Sequence, residues 1–364
     1  MERLLQIVPK LPGGLDGVGD YALGIARQFR EKFGYETIFA SFEAAPAPDG
    51  FKVVALDQMV DDAAGNYDHI LLHYVNYGFQ NRGVPFRLLS ILRALRTRHR
   101  SRLVTIFHEL FASGPPWSSA FWLQPVQKGI ARSIAHLSDA AIVSNPTMFE
   151  QLRTLAPTLP ASVHPVPSAW GEPPLSADEI ARRDPQIWLI CGGTALIARS
   201  LRSFGAVVSK IPDWCRPRQL FVVGGKKGSP VAESLRGFSQ MEVSCHPEVS
   251  ALEASNLLRK CAFNWLDYFY QPTPALNVIL KSSVFGAICA HAVVPIFPTG
   301  GQSVSLGNSA LPGPFFINNE ASVVPAPKER GQVALSFYQW YRQNAAAERL
   351  ASALATGLGL GSES

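Results

Sequence analysis

The sequence predicts an α/β protein that contains two doubly wound domains in tandem. A chain of 364 residues is long enough to form two domains. Short runs rich in β-branched and aromatic residues alternate with amphipathic stretches, which is the order expected of a parallel sheet with helices on both faces. The proline-rich segment Leu155–Pro174 interrupts this alternation, which then restarts, as at a domain boundary.

Each element follows from a local run of this kind. Strands are predicted at Leu4–Val8, Thr37–Phe42, Phe51–Leu56, His69–Tyr74, Leu103–Phe107, Ala140–Ser144, Trp188–Cys191, Gln219–Val223, Met241–Cys245, Ala262–Leu266 and Val293–Phe297. Helices are predicted at Tyr21–Phe33, Phe86–Arg98, Phe121–Leu137, Thr147–Leu155, Leu196–Lys210, Ala251–Lys260, Ser282–His291 and Lys328–Leu354. The predicted domains are 1–168 and 169–327, and 328–364 is predicted to form a C-terminal helix and tail.

Composition and charge limit the class of protein. Apolar residues make up 47% and charged residues 17% of the chain, which indicates a folded protein with a large core. The net charge of +5 favours anionic partners, namely phosphorylated ligands, an acidic membrane surface or nucleic acid. The sequence carries no nucleic-acid signature, so no nucleic-acid partner is expected. The five cysteines are not at C-x-x-C spacing, and we expect buried, reduced thiols in a cytoplasmic protein without a metal site.

The segment KLPGGLDGVGDYALGIARQF, Lys10 to Phe29, follows the first predicted strand. Its GVGDYA, Gly17 to Ala22, matches the G-x-G-x-x-A fingerprint of dinucleotide-binding folds, so an NAD-dependent oxidoreductase is one alternative. The fingerprint glycines normally follow the strand directly, whereas PKLPGGLD intervenes here, which counts against that alternative. Asp20 is either a cap or first-turn acid favoured by the helix dipole or a catalytic carboxylate, and both interpretations stay open.

A first strand, then GGLDGVGDY, then a helix resembles the opening of GT-B glycosyltransferases, especially those of family 4. Gly13, Gly14, Gly17 and Gly19 are the matching glycines. The resemblance implies two Rossmann-like domains facing a central cleft in the GT-B arrangement, with the C-terminal helix packing back towards the first domain. It also implies metal-independent transfer of a sugar from a nucleotide-sugar to an acceptor hydroxyl, without a cofactor. In that family this loop borders the donor phosphates and the acceptor, so Gly17 and Gly19 are predicted to bind the donor.

Two further segments of the first domain carry candidate site residues. LVTIFHELFASGPPW places His108 at a strand end, where the family often has a histidine facing the sugar. His108 and Asp20 are therefore predicted to be catalytic, with Asp20 the base if configuration inverts; a satisfied buried histidine is the alternative for His108. The segment HYVNYGFQNRGVPF is predicted to bind the acceptor or else to be a well-packed loop. Its candidate acceptor residues are Tyr74, Asn76, Tyr77 and Arg82.

The second domain carries the candidate donor site. Lys281, Ser282 and Ser283 stand at a predicted helix start, where an ammonium, hydroxyls and backbone N–H groups suit a pyrophosphate; an ordinary capped helix is the alternative. The resemblance matches Arg199 to a residue that meets the pyrophosphate. The family's second basic residue comes from the region of Lys226 and Lys227, of which Lys226 is taken as the candidate. Ordinary surface lysines in a turn are the alternative for Lys226 and Lys227.

The chain departs from the family at one point. Family 4 enzymes typically carry two glutamates, seven residues apart, around this helix, but no acidic residue occurs between Asp267 and Glu320. A degenerate protein that binds a nucleotide-sugar or a partner without turnover is therefore a third alternative.

The basic helix Phe86–Arg102 bears on partners and localisation. Its leucines and Ile91 form an apolar stripe, and arginines crowd its distal end. Such a helix either rests on anionic lipid or packs on the core with a solvated polar face. The first interpretation predicts that this cytoplasmic protein lies at the inner face of the cell membrane. The resemblance implies a saccharide or lipid-linked acceptor in polysaccharide or glycolipid biosynthesis.

Overall fold

The computed structural model describes residues 3–11, 17–43, 48–60, 67, 69–99, 101–228, 238, 240–268, 276–298, 305–306, 309–310 and 324–360. The chain divides into two compact units. Unit 1 comprises Met1–Pro165 and Ala347–Ser364, and unit 2 comprises Val166–Ala346. Each unit contains its own parallel sheet, which confirms the α/β fold class that the alternating pattern predicts.

Unit 1 is built on a seven-stranded parallel sheet in the order β3-β2-β1-β4-β5-β6-β7. The strands are β1 Arg3–Ile7, β2 Glu36–Ser41, β3 Lys52–Ala55, β4 His69–Tyr74, β5 Arg102–Phe107, β6 Ala140–Val143 and β7 Ala161–Val163. Most of their residues are buried, as expected of strands covered on both faces. The strand order reverses between β1 and β4. Open α/β sheets bind ligands beyond the carboxyl ends of the strands at such a reversal.

Helices cover both faces of this sheet. The helices of unit 1 are α1 Gly17–Phe33, α2 Asn76–Phe79, α3 Phe86–His99, α4 Ser119–Leu137, α5 Pro146–Leu155 and α11 Ala347–Leu358. On one face α3, α4 and α5 share a cluster in which Leu92 and Ile134 pack with Leu72. On the other face α1 and α11 pack against the alternate side chains of the same strands, for example Val104. The predicted C-terminal helix Lys328–Leu354 is in fact two helices: α11 packs in unit 1, whereas Arg330–Asn344 belongs to unit 2.

Unit 2 contains a five-stranded parallel sheet in the order β10-β9-β8-β11-β12, which reverses between β8 and β11. Its strands are β8 Ile187–Gly192, β9 Gln219–Gly224, β10 Glu242–His246, β11 Phe263–Trp265 and β12 Val294–Ile296. Its helices are α6 Ala177–Ala181, α7 Thr194–Gly205, α8 Ala251–Leu258, α9 Ser283–Ala290 and α10 Arg330–Asn344. A two-stranded ladder joins β13 Ser305–Leu306 to β14 Ser309–Ala310. Helices pack on both faces of the five-stranded sheet.

Side-chain caps explain why several helices begin where they do. Ser118, Asn145, Ser250 and Ser282 each accept a hydrogen bond from a backbone N–H group three residues further on, at the starts of α4, α5, α8 and α9. Such a cap satisfies one of the first-turn N–H groups, which have no partner within the helix.

The structure of the basic helix contradicts the interpretation in which its apolar stripe rests on lipid. The apolar stripe of α3 is buried in the core of unit 1, with Leu88 and Leu92 fully inaccessible. At its distal end, Arg96 donates to both carboxylate oxygens of Asp139 at 2.8 and 3.0 Å. The stripe is therefore core and does not offer an apolar surface to lipid. No helix in the described part of the chain is long and apolar enough to span a bilayer.

Candidate functional site

A chain of hydrogen bonds crosses the carboxyl edge of the unit 1 sheet at its reversal point. The buried His73 of β4 lies between β1 and β5, which supply its two partners. Its Nε2 is 3.0 Å from Oε1 of Gln6 on β1, and its Nδ1 is 3.2 Å from Nε2 of His108, which follows β5. The structure therefore places His108 at the edge where the sequence predicts it. It also shows that His73 and Gln6 continue the hydrogen-bonded chain from His108.

The partners of His73 determine which atoms carry protons. Burial, with a smaller contribution from His108, lowers the pKa of His73 well below its usual value, so this imidazole is neutral. Oε1 of Gln6 only accepts hydrogen bonds, so the proton of His73 lies on Nε2. Its Nδ1 then accepts from Nε2–H of His108. The basic nitrogen of a neutral His108 is consequently Nδ1.

The first turn of α1 lies beside this pair of histidines. The ring of Tyr21 packs edge-on against His108, with a centroid distance of 5.0 Å, and against His73 at 5.8 Å. Asp20 precedes it and is exposed on the same first turn. Because α1 begins at Gly17, Asp20 lies inside the helix and is not its N-cap residue. Its carboxylate is therefore a first-turn acid.

The glycine segment differs from the loop that the sequence predicts. Gly17 and Gly19 are the first and third residues of α1, so they do not form a turn between strand and helix. That arrangement lacks the tight turn of a dinucleotide fingerprint, which counts against the oxidoreductase alternative. Gly13 and Gly14 lie outside the described residues.

The predicted acceptor segment is only partly at the surface. Tyr74 is fully buried and packs on Phe107, with ring centroids 5.5 Å apart, so its ring is not available to stack on a sugar. The buried Asn76 accepts the backbone N–H of Tyr77 at 2.9 Å. Tyr77 is 37% exposed, and Arg82 is exposed. Tyr77 and Arg82 thus remain accessible, whereas Tyr74 is a core residue.

Gln127, which the sequence analysis missed, holds this segment in place. Its Nε2 donates to the hydroxyl of Tyr77 and to the carbonyl of Arg82, both at 3.2 Å. Its Oε1 accepts the backbone N–H of Ala112 at 2.8 Å. Gln127 is fully buried, so these bonds satisfy a polar group in the core. The available signal was a single amide on the inward face of an amphipathic helix.

In unit 2, two glycine-rich connections meet at the carboxyl ends of β8 and β9. Gly224 has a φ of +96°, and a Cβ there would lie 2.5 Å from the carbonyl oxygen of Gly192, so a larger residue does not fit. The next turn is attached to the start of α7, because the backbone N–H of Lys226 donates to Oγ1 of Thr194 at 2.9 Å. The side chains of Lys226 and Lys227 are exposed beside this helix start.

Arg199 lies at the reversal point of the unit 2 sheet. Its Nε donates to the carbonyl of Asp267, which follows β11, at 3.4 Å. The next residue of α7, Ser200, accepts the backbone N–H of Asp267 at 3.0 Å. Both contacts join α7 to the end of β11, so Arg199 stands where doubly wound sheets bind their ligands.

The start of α9 borders the same reversal point. Ser282 is its N-cap, as predicted, and accepts the backbone N–H of Phe285 at 3.4 Å. The hydroxyls of Ser282 and Tyr268 are hydrogen-bonded at 2.6 Å. Lys281 is exposed immediately before the cap, and Ser283 is half-buried in the first turn. The structure thus brings Arg199 and the start of α9 to one edge of one sheet, next to β11.

No group of three or more His, Cys, Asp or Glu side chains suited to a metal ion occurs among the described residues. The cations at the unit 2 edge are able to contact an anionic ligand directly.

Comparisons with known proteins identify the fold. No protein-family model and no curated protein matches the chain by sequence. Solved structures do match over nearly its whole length. A glycosyltransferase from Rickettsia africae ESF-5 has a TM-score of 0.61 at 11% identity, covering 99% of both chains. An alpha-glucosyltransferase in complex with UDP-glucose and DNA containing an abasic site has a TM-score of 0.60 at 12% identity, also covering 99% of both chains.

A third match is AviGT4, a glycosyltransferase involved in avilamycin A biosynthesis. Its TM-score is 0.52 at 13% identity, and the match covers 99% of this chain and 97% of that one. The chain therefore has the α/β fold of the GT-B glycosyltransferases, as the sequence resemblance implied.

One expectation about partners is wrong. The sequence predicted no nucleic-acid partner, but the alpha-glucosyltransferase that shares this fold is in complex with DNA. Proteins hold nucleic acids largely through phosphate contacts from basic and polar groups, which require no sequence signature. The lack of such a signature, together with a basic net charge, is therefore no ground for excluding nucleic acid.

Proposed function

We propose that the chain transfers a sugar from a nucleotide-sugar to an acceptor hydroxyl, in the manner of family 4 glycosyltransferases. The observation that carries the proposal is the edge of unit 2, where Arg199 and the starts of α7 and α9 gather around the β8–β11 reversal point. Helix starts and cations together suit a diphosphate. The similar alpha-glucosyltransferase structure with UDP-glucose favours a uridine diphosphate sugar as the donor.

The chemistry assigns separate roles to the two units. The bond between the anomeric carbon and the β-phosphate oxygen breaks, and the nucleoside diphosphate leaves with the electron pair. Arg199, Lys226, Lys281 and the first turn of α9 at Ser282 and Ser283 offset its charge, a role that does not need a metal. The acceptor oxygen bonds to the anomeric carbon, and its proton passes to Asp20 or to Nδ1 of His108 in unit 1. In unit 1, Tyr77 and Arg82 contact the acceptor, and the buried Asn76 supports the backbone of Tyr77.

A panel of nucleotide-sugars tests the proposal. Thermal-shift assays select the donor, and release of nucleoside diphosphate is then measured with saccharide, lipid-linked and DNA acceptors, with and without a chelator. We expect one donor to raise the melting temperature, diphosphate release that depends on one acceptor, and no effect of the chelator. Stabilisation without release for every acceptor indicates a binding protein, and a dinucleotide-dependent absorbance change indicates an oxidoreductase. Release abolished by the chelator contradicts the metal-independent part alone.

Replacing Lys281 with alanine tests the diphosphate site directly. A charge-assisted hydrogen bond contributes about 1.5–3 kcal/mol, so its loss should weaken nucleoside-diphosphate binding roughly tenfold or more. Isothermal titration calorimetry measures this change. Lys260→Ala is the matched control, because Lys260 is an exposed lysine of the same unit that precedes β11 and so lies at the amino end of that strand. A dissociation constant that Lys281→Ala leaves unchanged removes Lys281 from the site.

A further inference from the structure

Helix α4 carries an unusually apolar surface on the side that faces away from the core. Trp117 is 86% exposed and Trp122 is 71% exposed, while Phe121 and Val126 are each 41% exposed. Residues 121, 122, 125 and 126 fall on one side of an α-helix, and Trp117 precedes it by two residues. This aromatic face consists of Trp117, Phe121, Trp122, Pro125 and Val126.

The aromatic face stands on a fixed support. The inward side of α4 packs in the core of unit 1 through residues such as Ile130 and Ile134. The helix start is capped by Ser118, and Gln124 donates to the carbonyl of Ala112 at 3.2 Å. The rings of Phe121 and Trp122 also pack edge-to-face, with centroids 5.4 Å apart. Single exposed apolar residues are ordinary, but two strongly exposed tryptophans at and just before the start of a helix anchored in the core mark an interaction surface.

The ionised side chains in the chain segment that carries the aromatic face are all positive. No aspartate or glutamate occurs between Glu109 and Asp139, whereas Lys128 and Arg132 follow the aromatic face on α4. Nζ of Lys128 lies 4.8 Å from the ring centroid of Phe111, and Arg132 is exposed. The combination of exposed indole rings with cations and without acids is complementary to an anionic, partly apolar surface.

We propose that the aromatic face docks on an anionic lipid bilayer. The tryptophan and phenylalanine rings enter the headgroup region, where amphipathic aromatic rings are favoured, and Lys128 and Arg132 contact lipid phosphates. A bilayer also accommodates the apolar side chains of Pro125 and Val126. A nucleic acid would gain little from them, because neither side chain stacks on bases or hydrogen-bonds to them. A second copy of the chain is a poorer occupant, because a two-fold contact through this face brings the cations of both copies together.

Cosedimentation with vesicles tests this proposal independently of sugar transfer. The probe is phosphatidylcholine with about 30% phosphatidylglycerol, compared with phosphatidylcholine alone. We expect binding to the anionic vesicles at about 0.05 M salt and weaker binding at about 0.5 M salt, because salt screens the charges. The affinity of the double variant W117S/W122S for the anionic vesicles should fall by at least about tenfold, with an unchanged melting temperature. Leu252→Ala is the control, because Leu252 is 73% exposed on α8 of the other unit.

Three outcomes overturn the proposal. The first is wild-type protein that does not bind the anionic vesicles at low salt. The second is a double variant that binds them as tightly as the wild type. The third is a double variant that keeps vesicle binding but loses affinity for a single-stranded oligonucleotide or loses self-association in sedimentation velocity. In contrast, a blue shift of tryptophan fluorescence on vesicle addition that the double variant loses supports the proposal.

Discussion

Replacing His108 with glutamine is expected to lower kcat by about 10²–10⁴-fold while the melting temperature stays near the wild-type value. The half-buried His108 offers Nδ1 as its basic atom, because its Nε2–H is directed to Nδ1 of His73 at 3.2 Å. A glutamine amide still supplies an N–H group to His73 but has no basic nitrogen. Steady-state kinetics with the donor and acceptor identified by the panel measure the change.

Two further variants separate catalysis from structure at His108. His136→Gln changes an exposed histidine on α4 and should leave kcat unaltered. Gln6→Glu places a carboxylate beside Nε2 of His73, which favours a doubly protonated His73 whose Nδ1–H donates to His108. The proton of a neutral His108 then moves to Nδ1, so we expect lower activity and a displaced pH profile. If His108→Gln retains wild-type turnover, the proton passes to another group.

Replacing Asp20 with asparagine is the second variant for which we expect a loss of about 10²–10⁴-fold in kcat. Asparagine keeps the shape and the hydrogen-bonding oxygen but removes the ability to accept a proton at neutral pH. Loss of the charge near the helix start should cost about 0.3–1 kcal/mol of stability, which a denaturant titration resolves from a general folding defect.

Glu31→Gln provides the control for Asp20→Asn, because Glu31 is an exposed acid near the other end of α1. The anomeric configuration of the product, determined by NMR, shows whether a base is needed at all. Near-wild-type turnover of Asp20→Asn assigns Asp20 to the helix dipole and leaves proton acceptance to His108.

The sequence predicted most of the fold because its signals are local. Every strand predicted from a buried apolar run is present, with ends shifted by no more than two residues. β7 was missed, since its three residues lie in a proline-rich segment, and prolines are tolerated beside an edge strand. The break between α10 and α11 was also missed. Alanines 345–347 favour a helix locally, whereas the chain passes there from unit 2 to unit 1.

The candidate site could be predicted less well, because its contacts join segments far apart in sequence. His108 stands at a strand end and could be selected, but its link to His73 and Gln6 depends on the order β1-β4-β5. Tyr74 was assigned to the surface although β4 is buried on both faces, where no alternation of polar and apolar residues tells inward from outward. The start of α1 was predicted at Tyr21, since the glycines before it are poor helix formers.

The location of α11 affects the order in which the protein folds during synthesis. Val166–Ala346 is one continuous segment, whereas the first unit needs Ala347–Leu358, which the ribosome makes only after all of the second unit. Until then, the part of the sheet face that α11 covers, on β5 and β6, exposes apolar side chains such as Val104 and Ile142 to water. Nascent chains paused before residue 347 should therefore bind chaperones through this face, even though the strands that form it were the first to be made.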